Sequence, residues 1–287
     1  MKAKLLKQKI YFQIFRAVTF VIVIFLFIMI FTFISNGIGA INWTFLTDKP
    51  RQGMTQGGIF PAIMGTIVLT LLTMVFTIPV GIASAIYLVE YAGDSRLVQI
   101  INSAITNLAG VPSIIHGLFG FGLFVTFLSL GTSILSGALT LFLLVLPIVI
   151  AASREALLTV PKSFREGSLA LGATKWQSIR SNVLPYGVPG ILTGVILAVA
   201  RAAGETAPIL LTATFFYSAG APAIPTSILD GTMSLPTHIY YMATQSPNPV
   251  LVRPITYGTA LVLLMLVLSL NLVAMVIRAK YRRRRNW

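Results

Sequence analysis

The chain has 287 residues, 56% of them hydrophobic and only 10% charged, against roughly 25% charged in soluble domains, which excludes an ordinary water-soluble fold. A mean hydropathy of +0.89 with no cysteine points to a polytopic membrane protein without disulfides, thiolate metal sites or cysteine nucleophiles. The net charge of +14 would suggest nucleic-acid binding in a soluble protein, but in a membrane protein charge topology explains it.

A basic N-terminus, residues 1–16, carries Lys2, Lys4, Lys7, Lys9 and Arg16 and precedes an apolar span over Ala17–Ile34. A cleaved signal peptide is the competing reading, but this run is longer than the usual apolar region of a signal and no A-x-A site follows, so an uncleaved span is expected. An outer loop over 35–61 comes next, with turn residues Asn36, Gly37, Gly39, Pro50, Gly53, Gly57 and Gly58. Five further spans are predicted at about Ala62–Val89, Ala104–Leu130, Leu135–Ala152, Gly187–Phe215 and Tyr257–Ile277, judged against the ~20 apolar residues that cross a bilayer. Residues 153–185 link the fourth span to the fifth, Tyr217–Pro254 forms a second outer loop, and 278–287 is a basic tail.

With six spans and both termini cytoplasmic, the 21 Lys and Arg fall on the inside except Lys49, Arg51 and Arg253 outside and Arg201 within a span. That is the asymmetry of the positive-inside rule. The run Arg282–Arg285 reads as a stop-transfer anchor against anionic membrane lipid, so no nucleic-acid partner is needed.

The acids Asp48, Glu90, Asp94, Glu155, Glu166, Glu205 and Asp230 form no close pair with metal-ligand spacing, and His116 and His238 lie far apart. No metal site, P-loop or bound cofactor is expected. His116 reads as a hydrogen-bonded bundle histidine and His238 as a solvated loop residue. Pro79, Pro112, Pro147 and Pro208 fall in or near spans, where they kink helices and free carbonyls. The glycines of Gly117–Gly122 read as a close-packing surface, since no strand precedes them as a nucleotide loop would require.

The inner loop holds the densest information. Pro161 fits the first turn of a helix, with Glu166 near its N-terminal end. Gly172 suits the left-handed turn that ends it, and Ala173–Val183 can form a second helix before Pro185 stops it. Two short helices at an angle would form a knob. Read from periodicity alone, an amphipathic surface pair with no partner fits equally.

Glu166-Gly167-Ser168, Gly172, Asn182 and Leu184-Pro185 resemble the EAA loop of ABC importer permeases, E-A-A-x3-G-x9-I-x-L-P, and depart from it at Gly167, Ser168 and Asn182. The resemblance implies the type I ABC importer permease fold: an all-α integral membrane protein of six transmembrane helices, with a permease domain over 62–277. It also implies that the loop is a coupling helix seated in a groove of a separate ATP-hydrolysing subunit, with Glu166, Ala170, Leu171, Gly172 and Ala173 at the coupling site. ATP would be used by that partner and not by this chain.

In the fifth span, Arg201 and Glu205 stand four residues apart and so on one face of an apolar helix. A charge at mid-membrane is expensive, so the pair should face a bundle interior or a watery path. Ala202, Ala203, Gly204 and Gly194 would let another helix approach closely. A structural ion pair and a substrate role fit these residues equally, although a guanidinium is well shaped to hold a tetrahedral oxyanion.

The run Arg201-Ala202-Ala203-Gly204-Glu205-Thr206-Ala207-Pro208 resembles phosphate importer permeases of the PstA type. So do Ala170-Leu171-Gly172-Ala173-Thr174-Lys175-Trp176, Pro189-Gly190-Ile191-x-Thr193-Gly194 and Leu235-Pro236-Thr237-His238-Ile239-Tyr240. This resemblance implies a permease subunit, itself no enzyme, that passes inorganic phosphate across a bacterial or archaeal cytoplasmic membrane by alternating access. Its partners would be a homologous PstC-like permease in a heterodimer, two PstB-like ATP-binding subunits and an external PstS-like phosphate-binding protein, with Arg201 and Glu205 in the substrate pathway. A permease for molybdate or sulfate, a secondary anion transporter needing no ATPase, and a membrane scaffold are the rival readings.

Overall fold

The computed structural model describes residues 2–93, 95–215 and 224–283. Asp94, the part of the second outer loop with Gly220 and Pro222, and Arg284 and Arg285 of the basic tail lie outside the described residues. The chain opens with α1 (Lys2–Gly37), a 3-10 turn, α2 (Trp43–Thr47) and a two-stranded antiparallel ribbon, β1 (Pro50–Arg51) and β2 (Gln56–Gly57). It continues through α3 (Phe60–Ile86) with a π turn at Tyr87–Tyr91, α4 (Arg96–Ala109), α5 (Ser113–Gly120) with a π turn at Phe121–Phe127, and α6 (Ile134–Leu158). Then come α7 (Lys162–Ala170), α8 (Lys175–Ser178), a π turn at Ile179–Val183, α9 (Leu184–Gly204), α10 (Ala207–Thr212), α11 (Leu235–Thr244) and α12 (Pro249–Arg283).

Among the described residues, five helical stretches are long and apolar enough to cross a membrane, and the bent pair α4–α5 makes a sixth. The centre of the bundle is α3, α6 and α9, packed through Met74, Leu144, Val145, Val149, Ala198 and Ala202. Small residues set the approach of α6 and α9: a Cβ at Gly190 would stand 2.5 Å from the Ala156 Cβ, and Gly194 faces Ala152 equally closely. Without a water-driven hydrophobic effect in lipid, such close backbone contact is a main source of helix adhesion. The buried threonines Thr66, Thr70, Thr73 and Thr77 of α3 each donate to a carbonyl four residues earlier, which leaves their hydroxyl hydrogens satisfied in apolar surroundings.

Three expectations change. The third span is not one straight helix: α4 and α5–Phe127 are bent by 104°. Pro112 has no N–H and its ring would clash with the carbonyl four residues back, so α4 ends at Ala109 and α5 starts anew after Pro112. The fifth span breaks after Gly204, whose carbonyl is the one Pro208 cannot bond. At the other end of that span Pro185 does not stop the second short helix; α8 runs on into α9 through the π turn, whose wider ring accommodates the missing donor.

The second outer loop, expected as turns, contains α11. Ser234 and Thr237 form a capping box at its start, and its inner face packs on α12 through Leu235 and Met242. His238, expected to be solvated, is therefore buried, with Nδ1 3.3 Å from the Thr259 hydroxyl. Burial disfavours the imidazolium and pushes this histidine down to about 4.

Candidate functional site

The loop between α6 and α9 folds as a knob of α7 and α8 at an angle. Gly172 has φ +83°, and among the described residues nothing beyond its own chain neighbours lies within 4 Å of where its Cβ would stand, so backbone conformation alone requires glycine there. Thr174 caps α8 by accepting from Gln177 N–H, while the Gln177 side chain accepts from Thr174 N–H. Pro161 is the N-cap of α7, outside its first turn, and Glu166 lies beyond that turn, so the helix dipole does not explain its presence.

Of the predicted coupling residues, Glu166, Ala170, Leu171 and Gly172 are exposed on the knob and Ala173 is half-buried. Leu171 is 90% exposed, and Leu169 and Trp176 flank it in the open. An apolar crown of this kind on a polar projection is the form of a partner contact.

The base of the knob is fixed by a pair that the sequence did not reveal. Arg165 Nε and Nη2 lie 2.9 and 2.8 Å from Glu90 Oε1, while Nη1 and Nη2 donate to the carbonyls of Val160 and Leu157. Both side chains are largely buried, at 19% and 6% exposure. Seventy-five positions separate them, and the only signal in the sequence was a lone acid just past the end of an apolar span.

Arg201 stands in the last turn of α9, and Glu205 is the residue that caps it, in an extended conformation. The pair thus brackets the end of the helix instead of lying within it. Arg201 Nε is 3.2 Å from Glu205 Oε1, with the arginine 41% and the glutamate 16% exposed. Neither terminal nitrogen of Arg201 has a partner among the described residues. Ala202 and Ala203 face the bundle, whereas Arg201, Gly204 and the exposed Leu197 face away from it. Gly204, expected among the close-packing residues, has open space beside it.

His116 is buried in α5, with Nδ1 3.4 Å from the Pro112 carbonyl and Nε2 without a partner among the described residues. Next to it, Gly117 packs against Ala207 and Pro208 of α10, and Gly120 against Thr140; Gly122 has open space. Arg154, counted from the sequence with the inner loop, lies within α6 and donates to Asn102 of α4 at 3.0 Å.

Comparison with known proteins bears on the family and the fold. The family described as binding-protein-dependent transport system inner membrane component matches residues 77–287. The chain is 38% identical over 244 residues to phosphate transport system permease protein PstA 1 of Mycobacterium tuberculosis (strain CDC 1551 / Oshkosh), covering 85% of this chain and 78% of that one. It is 33% identical to a probable phosphate transport system permease protein PstA of Methanocaldococcus jannaschii, covering 93% and 92%. In fold it resembles a chain of the inward-facing MetNI methionine ABC transporter, with a TM-score of 0.62, 17% identity and coverage of 77% and 94%. A chain of a bacterial alginate ABC transporter gives a TM-score of 0.62 at 17% identity, covering 91% and 90%.

Proposed function

Because the chain belongs to the family of binding-protein-dependent transport system inner membrane components, we propose that it is the permease subunit of an ATP-driven importer of inorganic phosphate. The observation that carries the substrate class is the Arg201 guanidinium, turned away from its own bundle with neither terminal nitrogen bonded among the described residues. Glu205 holds the Nε edge and so orients the fork. Two parallel N–H donors match two oxygens of a tetrahedral anion, and a charge-assisted pair of this kind is roughly twice as strong as neutral hydrogen bonds. A carboxylate beside the fork favours an anion that still carries a proton to donate, as phosphate does near neutral pH and sulfate does not.

The remaining parts follow from the same reading. A single chain leaves Arg201 on an open face, so a homologous PstC-like permease supplies the other wall of the path. The knob, with Glu166, Ala170, Leu171, Gly172 and Ala173, seats in a PstB-like ATPase, of which the complex holds two copies. A PstS-like binding protein delivers phosphate to the outer face, beside α11. Both termini and the knob lie on the cytoplasmic side in this reading, which the distribution of Lys and Arg supports. ATP-driven closure of the ATPases then moves the knob and rocks the helices around Arg201.

The test is ATP hydrolysis by the complex reconstituted in lipid, titrated with phosphate, sulfate and molybdate delivered by the binding protein. Stimulation by phosphate that is lost in Arg201→Ala is expected. Stimulation by sulfate or molybdate instead would overturn the substrate, and no association with an ATPase would overturn the class.

A further inference from the structure

α6 and α9 are joined to the knob by the chain itself, since α6 enters it and α8 runs directly into α9. α3 has no such connection, yet it is one of the three helices at the centre of the bundle. Its end meets the knob twice within one π turn: Glu90 holds Arg165 of α7, and the Tyr91 ring lies 5.0 Å from Lys175 Nζ of α8. Around them Ala85 and Ile86 pack with Leu157, Val160, Ile179 and Val183. Apolar packing of this sort holds surfaces together without fixing their register, whereas a largely buried ion pair with every guanidinium nitrogen engaged is best attested as a register device.

The far end of α3 is also tied down. Thr66 Oγ1 accepts from the Leu235 N–H at 2.8 Å, at the start of α11, and Gly65 lets the backbone at Met233 approach. Between these ties the chain stays helical throughout, passing Pro79 within α3 and ending in the π turn at Tyr87–Tyr91, over ~36 Å.

Building on the permease reading above, we propose that Glu90 is a positioning residue: it clasps the knob to α3, so that α3 carries the knob's displacement to α11 at the opposite face of the bundle. The same rod works in reverse, since coupling between two sites is reciprocal. Docking of a binding protein over α11 reaches the ATPase by this route.

The experiment uses the whole complex in vesicles, measuring phosphate uptake per ATP hydrolysed and the stimulation of hydrolysis by the binding protein. Unaltered complex that shows no phosphate-coupled hydrolysis would reject the permease reading, whatever the clasp does. The variant Glu90→Leu/Arg165→Met removes both charges and leaves neither unpaired. It is expected to assemble and hydrolyse ATP, with uptake per ATP and binding-protein stimulation each reduced at least about fivefold. Unchanged uptake per ATP would overturn the proposal.

A second variant covers the case in which that one does not assemble. Val89 and Lys162 line one cavity of about 290 Å³ at the clasp, and the chain has no cysteine. Val89→Cys/Lys162→Cys, bridged by a short bis-maleimide, locks the knob to α3. Transport equal to that of the unbridged protein is expected, because the two already move as one body; abolished transport would show that they must separate, and the clasp would be refuted.

Discussion

Arg201 and Glu205 are joined across the end of α9, one in its last turn and the other just beyond it. The guanidinium sits where carbonyls with no helical partner accumulate, a location that favours a cation. A structural ion pair and a substrate site therefore separate experimentally.

Arg201→Ala is expected to reduce phosphate transport roughly 10- to 100-fold, the worth of a charge-assisted hydrogen bond or two, with assembly intact. Arg201→Lys, which keeps the charge and loses the fork, should fall between. Uptake of labelled phosphate in vesicles, beside co-purification of the complex, checks both. Loss of assembly in Arg201→Ala would assign the pair a structural role.

At Gly172 the penalty is conformational. A β-branched residue at φ +83° costs about 1–2 kcal/mol, and no neighbour adds a clash. Retention of the ATPase should follow the order glycine, Gly172→Asn, Gly172→Val, because asparagine tolerates the left-handed region. Equal retention in all three would sever the turn from coupling.

Gly190 and Gly194 predict a packing cost instead. Gly194→Leu would drive a side chain into Ala152 and should destabilise the α6–α9 contact by about 1–3 kcal/mol. Unfolding in mixed micelles measures it, and Gly204→Ala, with open space beside it, is the comparison that should be far milder there.

His238 predicts a pH dependence. The imidazole titrates at about 4 in the folded protein against its ordinary value of 6.5, so between those values the unfolded chain binds more protons. Stability is full above pH 6.5, declines as pH falls through that window, and has lost on the order of 3 kcal/mol by its lower end. His238→Gln should flatten the slope between pH 4 and 6.5; an unchanged slope would place the titration elsewhere.

Much of this architecture was legible in composition. α3, α6 and α12 announced themselves as long apolar runs, and Gly172 marked the turn of the knob because its conformation excludes other residues. The breaks at Pro112 and Pro208 were written in the sequence too, but a proline inside an apolar run signals either a kink or a stop, and only packing decides. α11 stayed hidden because prolines and glycines surround it and its burial comes from α12, as where His238 meets Thr259, 21 positions downstream. The clasp of Glu90 on Arg165 was illegible for a different reason: its partners belong to separate elements, and hydropathy carries no information on which charges meet.

The first helix has one further consequence. From Lys4 to Met29 the described side chains of α1 are exposed, and the helix touches the bundle near its other end, where Gly37 packs on Tyr257 and Gly258 and the Phe33 ring stands 5.9 Å from that of Tyr257. A rod of about 50 Å pivoted at one extremity is a lever. A rotation of ten degrees at the Gly37 contact would carry the opposite tip, with Lys4, Lys7 and Lys9, through ~9 Å.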